Sequence, residues 1–162
     1  RRVLFRSGLG YTAWTALESD RVSQCDVIEF LPQVIHWLEQ GLIPLADKLN
    51  ADHRLNVTQS DVYQRLASPP KQKHDLILID VDHSPDDNLD AANRIFYTVD
   101  GLQRAKLHLE AEGLLGVWSY AESSQFADAL HEVFREVRIE PVTVFNNLIN
   151  EEQTDWLLFA RD

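Results

Sequence analysis

The segment Asp75-Leu76-Ile77-Leu78-Ile79-Asp80 constrains the fold most, because four consecutive large aliphatic residues stand between two acids. A strand with one solvated face alternates apolar and polar residues, whereas a strand covered on both faces is apolar throughout. Sheets covered on both faces consist mainly of parallel strands that are joined through helices. The segment therefore predicts a central strand of a mostly parallel sheet.

The rest of the chain alternates strand and helix patterns around this segment. Strand patterns cover 24–30, 54–58, 113–120, 137–145 and 155–160, and helical patterns cover 11–18, 31–49 with a break near Gly41 and Pro44, 61–67, 101–110 and 123–134, with a polar loop over 82–93. This order predicts a doubly wound α/β fold with helices on both faces of the sheet. The last two strands predict an antiparallel pair.

Residues 1–7 match the in-frame translation of a common sequencing-library adapter, and we interpret them as a non-native scar. Residues 8–162 then form a single domain that begins inside a glycine turn, as expected of an N-terminally truncated chain. The segment Val3-Leu4-Phe5 is apolar and β-prone, so it has the properties needed to replace a missing strand.

Charge and composition restrict the classes of partner that this chain is expected to bind. The formal net charge of −11 argues against nucleic acid, which needs a basic surface, and suits a small cationic substrate, although acidity also simply promotes solubility. No apolar run approaches the roughly 20 residues that cross a bilayer. The one cysteine, Cys25, opens an apolar run and predicts a buried thiol in the reducing cytoplasm.

A glycine turn and an acid predict a nucleoside site. Gly8-Leu9-Gly10-Tyr11-Thr12-Ala13 loosely fits G-x-G-x-x-G/A at a strand-to-helix turn, where the backbone can approach a ligand. Glu29 follows Gly10 by about 20 positions, the offset at which an acid binds ribose hydroxyls. We therefore assign Gly8, Gly10, Tyr11 and Glu29 to ligand binding. The alternatives are a tight turn without a ligand and a solvated surface acid.

Ser60-Asp61-Val62 follows the third strand, and we assign Asp61 and Val62 to the same site. The Asp61 carboxylate can accept a hydrogen bond from an adenine amino group. The same residue type is a common helix N-cap, and the two roles are compatible.

Asp80-Val81-Asp82-His83-Ser84-Pro85 is the most informative stretch for chemistry. Two carboxylates, Asp80 and Asp82, follow a buried strand closely enough to attract a cationic amine and accept its proton. One alternative is a solvated turn with Asp80 as a structural cap. Another is a divalent metal held by acids and His83, but no metal is expected because no strong ligand spacing is present.

Together these motifs resemble the spermidine synthase family and, through it, the Rossmann-like methyltransferases. The resemblance runs from Gly8 onward through Gly-Leu-Gly-Tyr-Thr-Ala, Asp26-Val27-Ile28-Glu29, Ser60-Asp61-Val62, Asp75 to Asp80, Ile95-Phe96-Tyr97 and Gly113 to Ser119. It implies that the glycine turn holds the aminopropyl or amino-acid end of the ligand. It further implies that Glu29 binds ribose, Asp61 meets adenine and Asp80 lies where the amine is deprotonated.

The chain departs from the family at two places. Polyamine-forming members usually have Asp-Ser-Ser-Asp-Pro where this chain has Asp80-Val81-Asp82-His83-Ser84-Pro85, which moves the second acid by one position. They commonly place a glutamine after the next strand, where Trp118-Ser119-Tyr120 stands here. The resemblance therefore supports the cofactor class better than the acceptor.

Three functions follow as hypotheses. The first is a spermidine synthase-like transferase that uses decarboxylated S-adenosylmethionine or S-adenosylmethionine to alkylate a small amine. The second is an S-adenosylmethionine-dependent methyltransferase of a small molecule. The third is a non-catalytic nucleoside-binding or dimerisation module, since a fold does not fix a function. A homodimer is compatible with each of them.

Overall fold

The computed structural model describes residues 1–5, 9–80, 85–86 and 91–162. The strands are β1 (Arg2–Phe5), β2 (Gln24–Glu29), β3 (Leu55–Gln59), β4 (His74–Ile79), β5 (Leu109–Ser119), β6 (Glu136–Asn146) and β7 (Glu151–Arg161). The helices are α1 (Tyr11–Leu17), α2 (Pro32–Glu39), α3 (Ala46–Ala51), α4 (Val62–Ala67), α5 (Ala91–Phe96), α6 (Val99–Lys106) and α7 (Ser124–Val133). None of the described helices is both long and apolar enough to cross a lipid bilayer.

The described strands form one seven-stranded sheet in the order β3-β2-β1-β4-β5-β7-β6. Strands β1 to β5 are parallel to one another, and β7 runs antiparallel to both β5 and β6. The predicted doubly wound α/β sheet with a C-terminal antiparallel pair is therefore confirmed. The strand order reverses between β1 and β4, so the switch point at which such sheets bind ligands lies at the carboxyl ends of these two strands.

Strand β1 occupies the centre of the sheet, between β2 and β4. The apolar segment Val3-Leu4-Phe5 thus fills the strand position for which its composition suits it. Val3 packs in the cluster on one side of the sheet and Leu4 in the cluster on the other, and both side chains are buried. This alternation follows from the two-residue period of a strand.

Helices cover the two faces of the sheet unequally. The larger apolar cluster contains Ile77 and Ile79 of β4 and packs under α4 to α7, whereas Leu76 and Leu78 point to the smaller cluster under α1 to α3 and remain half-buried. The segment is therefore a central strand, as predicted, but one of its faces is only partly covered. The helices of the smaller layer lie over β1 to β3.

Several predicted boundaries are wrong; the strands expected over 113–120 and 155–160, for example, begin at Leu109 and Glu151. The helix expected over 101–110 is α6, which begins at Val99 because the Thr98 hydroxyl accepts a hydrogen bond from Gly101 N, and which ends before β5 begins at Leu109. The loop expected over 82–93 ends earlier, since α5 begins at Ala91; of its earlier part the structure describes only residues 85–86. The predicted break in the helix over 31–49 is confirmed by the separation of α2 from α3.

Candidate functional site

Four of the predicted residues lie at the carboxyl ends of neighbouring strands. Gly10 follows β1, Glu29 ends β2, Asp61 follows β3 and Asp80 follows β4. Because β3, β2, β1 and β4 are adjacent in that order and parallel, these four residues lie along one edge of the sheet. That edge contains the switch point, which is where ligands bind in doubly wound folds.

Gly10 is glycine for reasons internal to the fold. Its φ of +85° lies in the left-handed region, where a side chain is strained. A Cβ at this position would overlap Cδ1 of Leu49 on α3. Tyr11, the first residue of α1, is 56% exposed and directly follows Gly10. The predicted Gly8 lies outside the described residues.

Glu29 is the most deeply buried acid of the candidate site, with 3% of its surface exposed. Its Oε1 accepts a hydrogen bond from the backbone N–H of Leu31 at 2.9 Å, which fixes the carboxylate at the start of α2. Its other oxygen, Oε2, forms no hydrogen bond with a residue that the structure describes. Glu29 and Gly10 line the same small, mostly apolar recess between β2 and the helices of the smaller layer. The carboxylate is therefore held in place with one oxygen left to bind a ligand.

Asp61 is the N-cap of α4. Its Oδ1 accepts hydrogen bonds from the backbone N–H groups of Tyr63 at 2.8 Å and Gln64 at 3.3 Å. The structural role that the sequence left open is thus present, and Oδ2 forms no hydrogen bond with a described residue. Val62, the first residue of α4, is buried in the larger apolar cluster.

Asp80 directly follows β4 and is half-buried. Its neighbour Ile79 pairs with Val117 of β5, so Asp80 stands beside the end of the next strand as well. Asp82 and His83 lie outside the described residues, and the predicted pair of carboxylates stays a prediction. Among the residues that are described, no group of three or more His, Cys, Asp or Glu side chains has the arrangement of a metal site.

The structure adds Ser123, which the sequence analysis did not single out for the site. Its hydroxyl donates a hydrogen bond to Oδ1 of Asp86 at 2.9 Å and accepts one from Phe126 N at 3.2 Å. Ser123 therefore caps α7 and at the same time ties residue 86, which follows β4, to the end of β5. A serine before an apolar helix predicts the cap but gives no signal for the bond to Asp86.

A second polar cluster lies towards the amino ends of the strands, opposite the carboxyl ends that form the candidate site. Oδ2 of Asp26 is 3.3 Å from Nε2 of His74, and both side chains are nearly fully buried. Burial lowers the pKa of His74. Burial alone would raise the pKa of Asp26, but hydrogen bonds from Asn56, Gln24 and His74 outweigh this effect and hold the pKa below its ordinary value.

The buried thiol predicted for Cys25 is confirmed. Burial is the main reason that its pKa is raised to about 12, with the neighbouring carboxylates of Asp26 and Asp52 acting in the same direction. Such a thiol is protonated at neutral pH and is not a nucleophile.

Comparison with solved structures identifies the same fold in enzymes of known type. The spermidine synthase from Thermotoga maritima superposes with a TM-score of 0.72 at 16% sequence identity, over 98% of this chain and 51% of that one. A spermidine synthase in complex with the transition state analogue AdoDATO gives 0.74 at 18% identity, over 98% and 53%. Human methyltransferase-like protein 13 in complex with SAH gives 0.71 at 17% identity, over 99% and 70%.

These likenesses establish the fold: the chain has the Rossmann-like sheet of spermidine synthases and methyltransferases. It spans about half the length of the two spermidine synthases. A scan against protein-family models and a search of curated proteins return no match.

Proposed function

We propose that this chain is the nucleoside-binding core of a transferase that uses S-adenosylmethionine or its decarboxylated form to alkylate a small amine. One observation carries the proposal: Gly10, Glu29, Asp61 and Asp80 end or follow adjacent parallel strands on both sides of the switch point. The comparisons support the cofactor class, since structures of the same fold are described in complex with AdoDATO and SAH.

Glu29 and Asp61 have matching designs for holding a nucleoside. In each, one carboxylate oxygen bonds to the backbone of the helix that follows, and the other forms no hydrogen bond with a described residue. The carboxylates are thus oriented before the ligand arrives, which reduces the entropy lost on binding. In the proposed complex Oε2 of Glu29 accepts from the ribose hydroxyls and Oδ2 of Asp61 accepts from the adenine amino group.

The reaction needs a deprotonated amine beside the sulfonium carbon. A primary amine has a pKa near ~10 and arrives with its proton. We assign Asp80 to accept that proton before the transfer, with Asp82 as the second acid. The neutral nitrogen then attacks the carbon bonded to sulfur, the carbon–sulfur bond breaks, the thioether leaves with the electron pair, and the product is a protonated secondary amine. In-line displacement of this kind depends on positioning, which a rigid sheet edge provides.

The donor decides between the two forms of the proposal. Aminopropyl transfer uses the decarboxylated donor and releases methylthioadenosine, whereas methyl transfer uses the intact donor and releases S-adenosylhomocysteine. Isothermal titration of the full chain with the two products separates these reactions: tighter binding of methylthioadenosine favours aminopropyl transfer. Binding of neither product at millimolar concentration would contradict the proposed function.

A non-catalytic nucleoside-binding module is the second candidate. The observation in its favour is the displacement of the second acid to Asp82, one position from where polyamine-forming relatives place it. Both candidates predict nucleoside binding, and they differ only in turnover.

A further inference from the structure

A polar cavity of about 270 Å³ lies beside α4, on residues outside the proposed nucleoside and acceptor sites. It extends from the end of β3 to the starts of β4 and β5. The residues that line it include Ser60, Gln64, Arg65, Lys71, Gln72 and His108. Two of these side chains, Arg65 and Lys71, are cationic in a chain whose formal net charge is −11. The cavity is therefore lined by positive side chains in a protein whose net charge is negative.

Arg65 is half-buried and has no partner among the described residues. Its guanidinium forms no hydrogen bond or ion pair with any residue in the described part of the chain. Arg54, which is also half-buried, shows the usual arrangement: it pairs with Asp52 at 2.6 Å and donates to the carbonyl oxygen of Val22 at 3.0 Å. Partial burial of a guanidinium without a partner is unfavourable, and an anion in the cavity would remove that cost.

Asp26, a buried acid that contacts the lining residue Gln72, already has several hydrogen-bond partners. Asp26 accepts hydrogen bonds from Nε2 of Gln72 at 2.7 Å and Nδ2 of Asn56 at 3.0 Å, and it contacts His74. The His108 ring is held by a hydrogen bond between its Nε2 and the carbonyl oxygen of Ser68 at 2.9 Å. Hydrogen bonds thus fix two of the lining residues, Gln72 and His108, and neither is an acid that could neutralise Arg65.

We propose that this cavity binds a phosphate-bearing small molecule. A guanidinium presents two parallel N–H groups that match two phosphate oxygens, and the exposed Lys71 adds a second positive charge to the lining. The Gln64 amide and the Ser60 hydroxyl line the same cavity and supply neutral donors. The site contains none of the residues assigned to the sulfonium ligand.

The test is an NMR titration of the full chain with inorganic phosphate and with pyrophosphate at constant ionic strength. We expect saturable shifts of the backbone amides of residues 64, 65, 71 and 72, and tighter binding of pyrophosphate. Arg65→Gln should weaken pyrophosphate binding about tenfold or more, as expected for loss of a charged hydrogen-bonding pair. Lys71→Gln should weaken it about threefold, because an exposed charge is screened. The matched control Arg21→Gln, an exposed arginine elsewhere, should bind like the wild type.

Arg65→Gln should also melt no lower than the wild type in anion-free buffer, since it removes a cation that has no partner. A fall in its melting temperature would identify Arg65 as a structural residue and overturn the proposal. So would the absence of saturable shifts, an equal loss of affinity in Arg21→Gln, or binding of citrate as tight as that of pyrophosphate. Each of these outcomes is independent of whether the chain binds a sulfonium nucleoside.

Discussion

The backbone N–H of Ser60 donates a hydrogen bond to the carbonyl oxygen of Glu29 at 3.0 Å. This bond continues the pairing of β2 with β3 past the last paired residues of the two strands. It therefore fixes how far Asp61, the next residue, stands from Glu29. The two acids assigned to the two ends of one nucleoside are positioned by a shared main-chain contact.

Replacing Glu29 with glutamine should weaken nucleoside binding by roughly tenfold to a hundredfold, because a hydrogen bond to a charged group contributes about 1.5–3 kcal/mol. The amide oxygen of glutamine can still accept from Leu31 N, so the start of α2 should be preserved. Titration calorimetry with S-adenosylhomocysteine measures the loss. Glu39→Gln, at the exposed end of α2, is the control, and equal affinities in the two variants would remove Glu29 from the site.

Two substitutions of Asp61 separate its structural role from ligand binding. Asp61→Ala should lower the free energy of unfolding by about 1 kcal/mol through loss of the cap, whereas Asp61→Asn should keep most of it. Both should weaken nucleoside binding, since Oδ2 of the carboxylate is lost in each. Urea unfolding and calorimetry report the two effects separately. A stable Asp61→Asn variant with wild-type affinity would leave Asp61 as a cap alone.

Replacing Asp80 with asparagine decides between the catalytic and the non-catalytic candidate. Loss of a proton acceptor should reduce turnover by about a hundredfold or more while the affinity for nucleoside changes little. The measurement is transfer of the labelled group from the donor to a panel of small amines, with the full chain as the catalyst. Turnover that is the same in Asp80→Asn and wild type would rule out the role assigned to this residue.

Acidification should destabilise the protein through His74. Burial lowers its pKa below the ordinary value of 6.5, and no described residue accepts a hydrogen bond from its Nδ1. The unfolded chain therefore binds more protons than the folded chain once the pH falls below about 6.5, and the free energy of unfolding decreases there. The lowered pKa of Asp26 acts in the same direction, but only below its ordinary value of 3.8.

Urea unfolding between about pH 7.5 and pH 5.5 isolates the histidine contribution, because Asp26 stays ionised throughout that range. His74→Gln should flatten the dependence on pH, since glutamine can still donate to Asp26 and does not titrate. Some slope should persist, because burial also lowers the pKa of His108. The same slope in His74→Gln and wild type would contradict this account.

Leu4→Ala should destabilise the fold by about 2–5 kcal/mol, the usual cost of truncating a large core side chain. Leu4 is fully buried in the larger apolar cluster. Arg2→Ala in the same strand is the control, because the side chain of Arg2 is exposed. Thermal or urea unfolding of both variants tests whether β1 contributes to the stability of the fold in solution, and equal stabilities would show that it does not.

The sequence predicted the fold well because alternation of buried strands with helices leaves few topologies open. It failed where local irregularity decides the structure. The residues from Leu109 to Glu112 have the composition of a helix end, yet they belong to β5, whose register with β4 shifts between His74 and Leu76. Glu112 has a φ of +62°. A pattern of residue types does not predict such a backbone angle.

At the candidate site, the sequence predicted where the acids lie along the strands but not which hydrogen bonds hold them. Strand ends can be read from where apolar runs stop, so Glu29 and Asp61 were found. The cap by Asp61 was foreseen as one alternative, but the bond from Leu31 N to Glu29 was not. Nothing in the sequence indicates that Arg65 lacks a partner among the described residues, because whether an arginine is paired depends on contacts between distant segments.

Strand β1 is held at its amino end as well as by its pairing. Ser23 N donates a hydrogen bond to the carbonyl oxygen of Arg1 at 2.9 Å, and Arg2 N donates one to Oδ2 of Asp75 at 2.7 Å. A slip of one residue along the sheet would exchange the faces of Val3 and Leu4, which pack in clusters on opposite sides of the sheet. These two bonds therefore fix the register that places each of the two side chains in its own cluster.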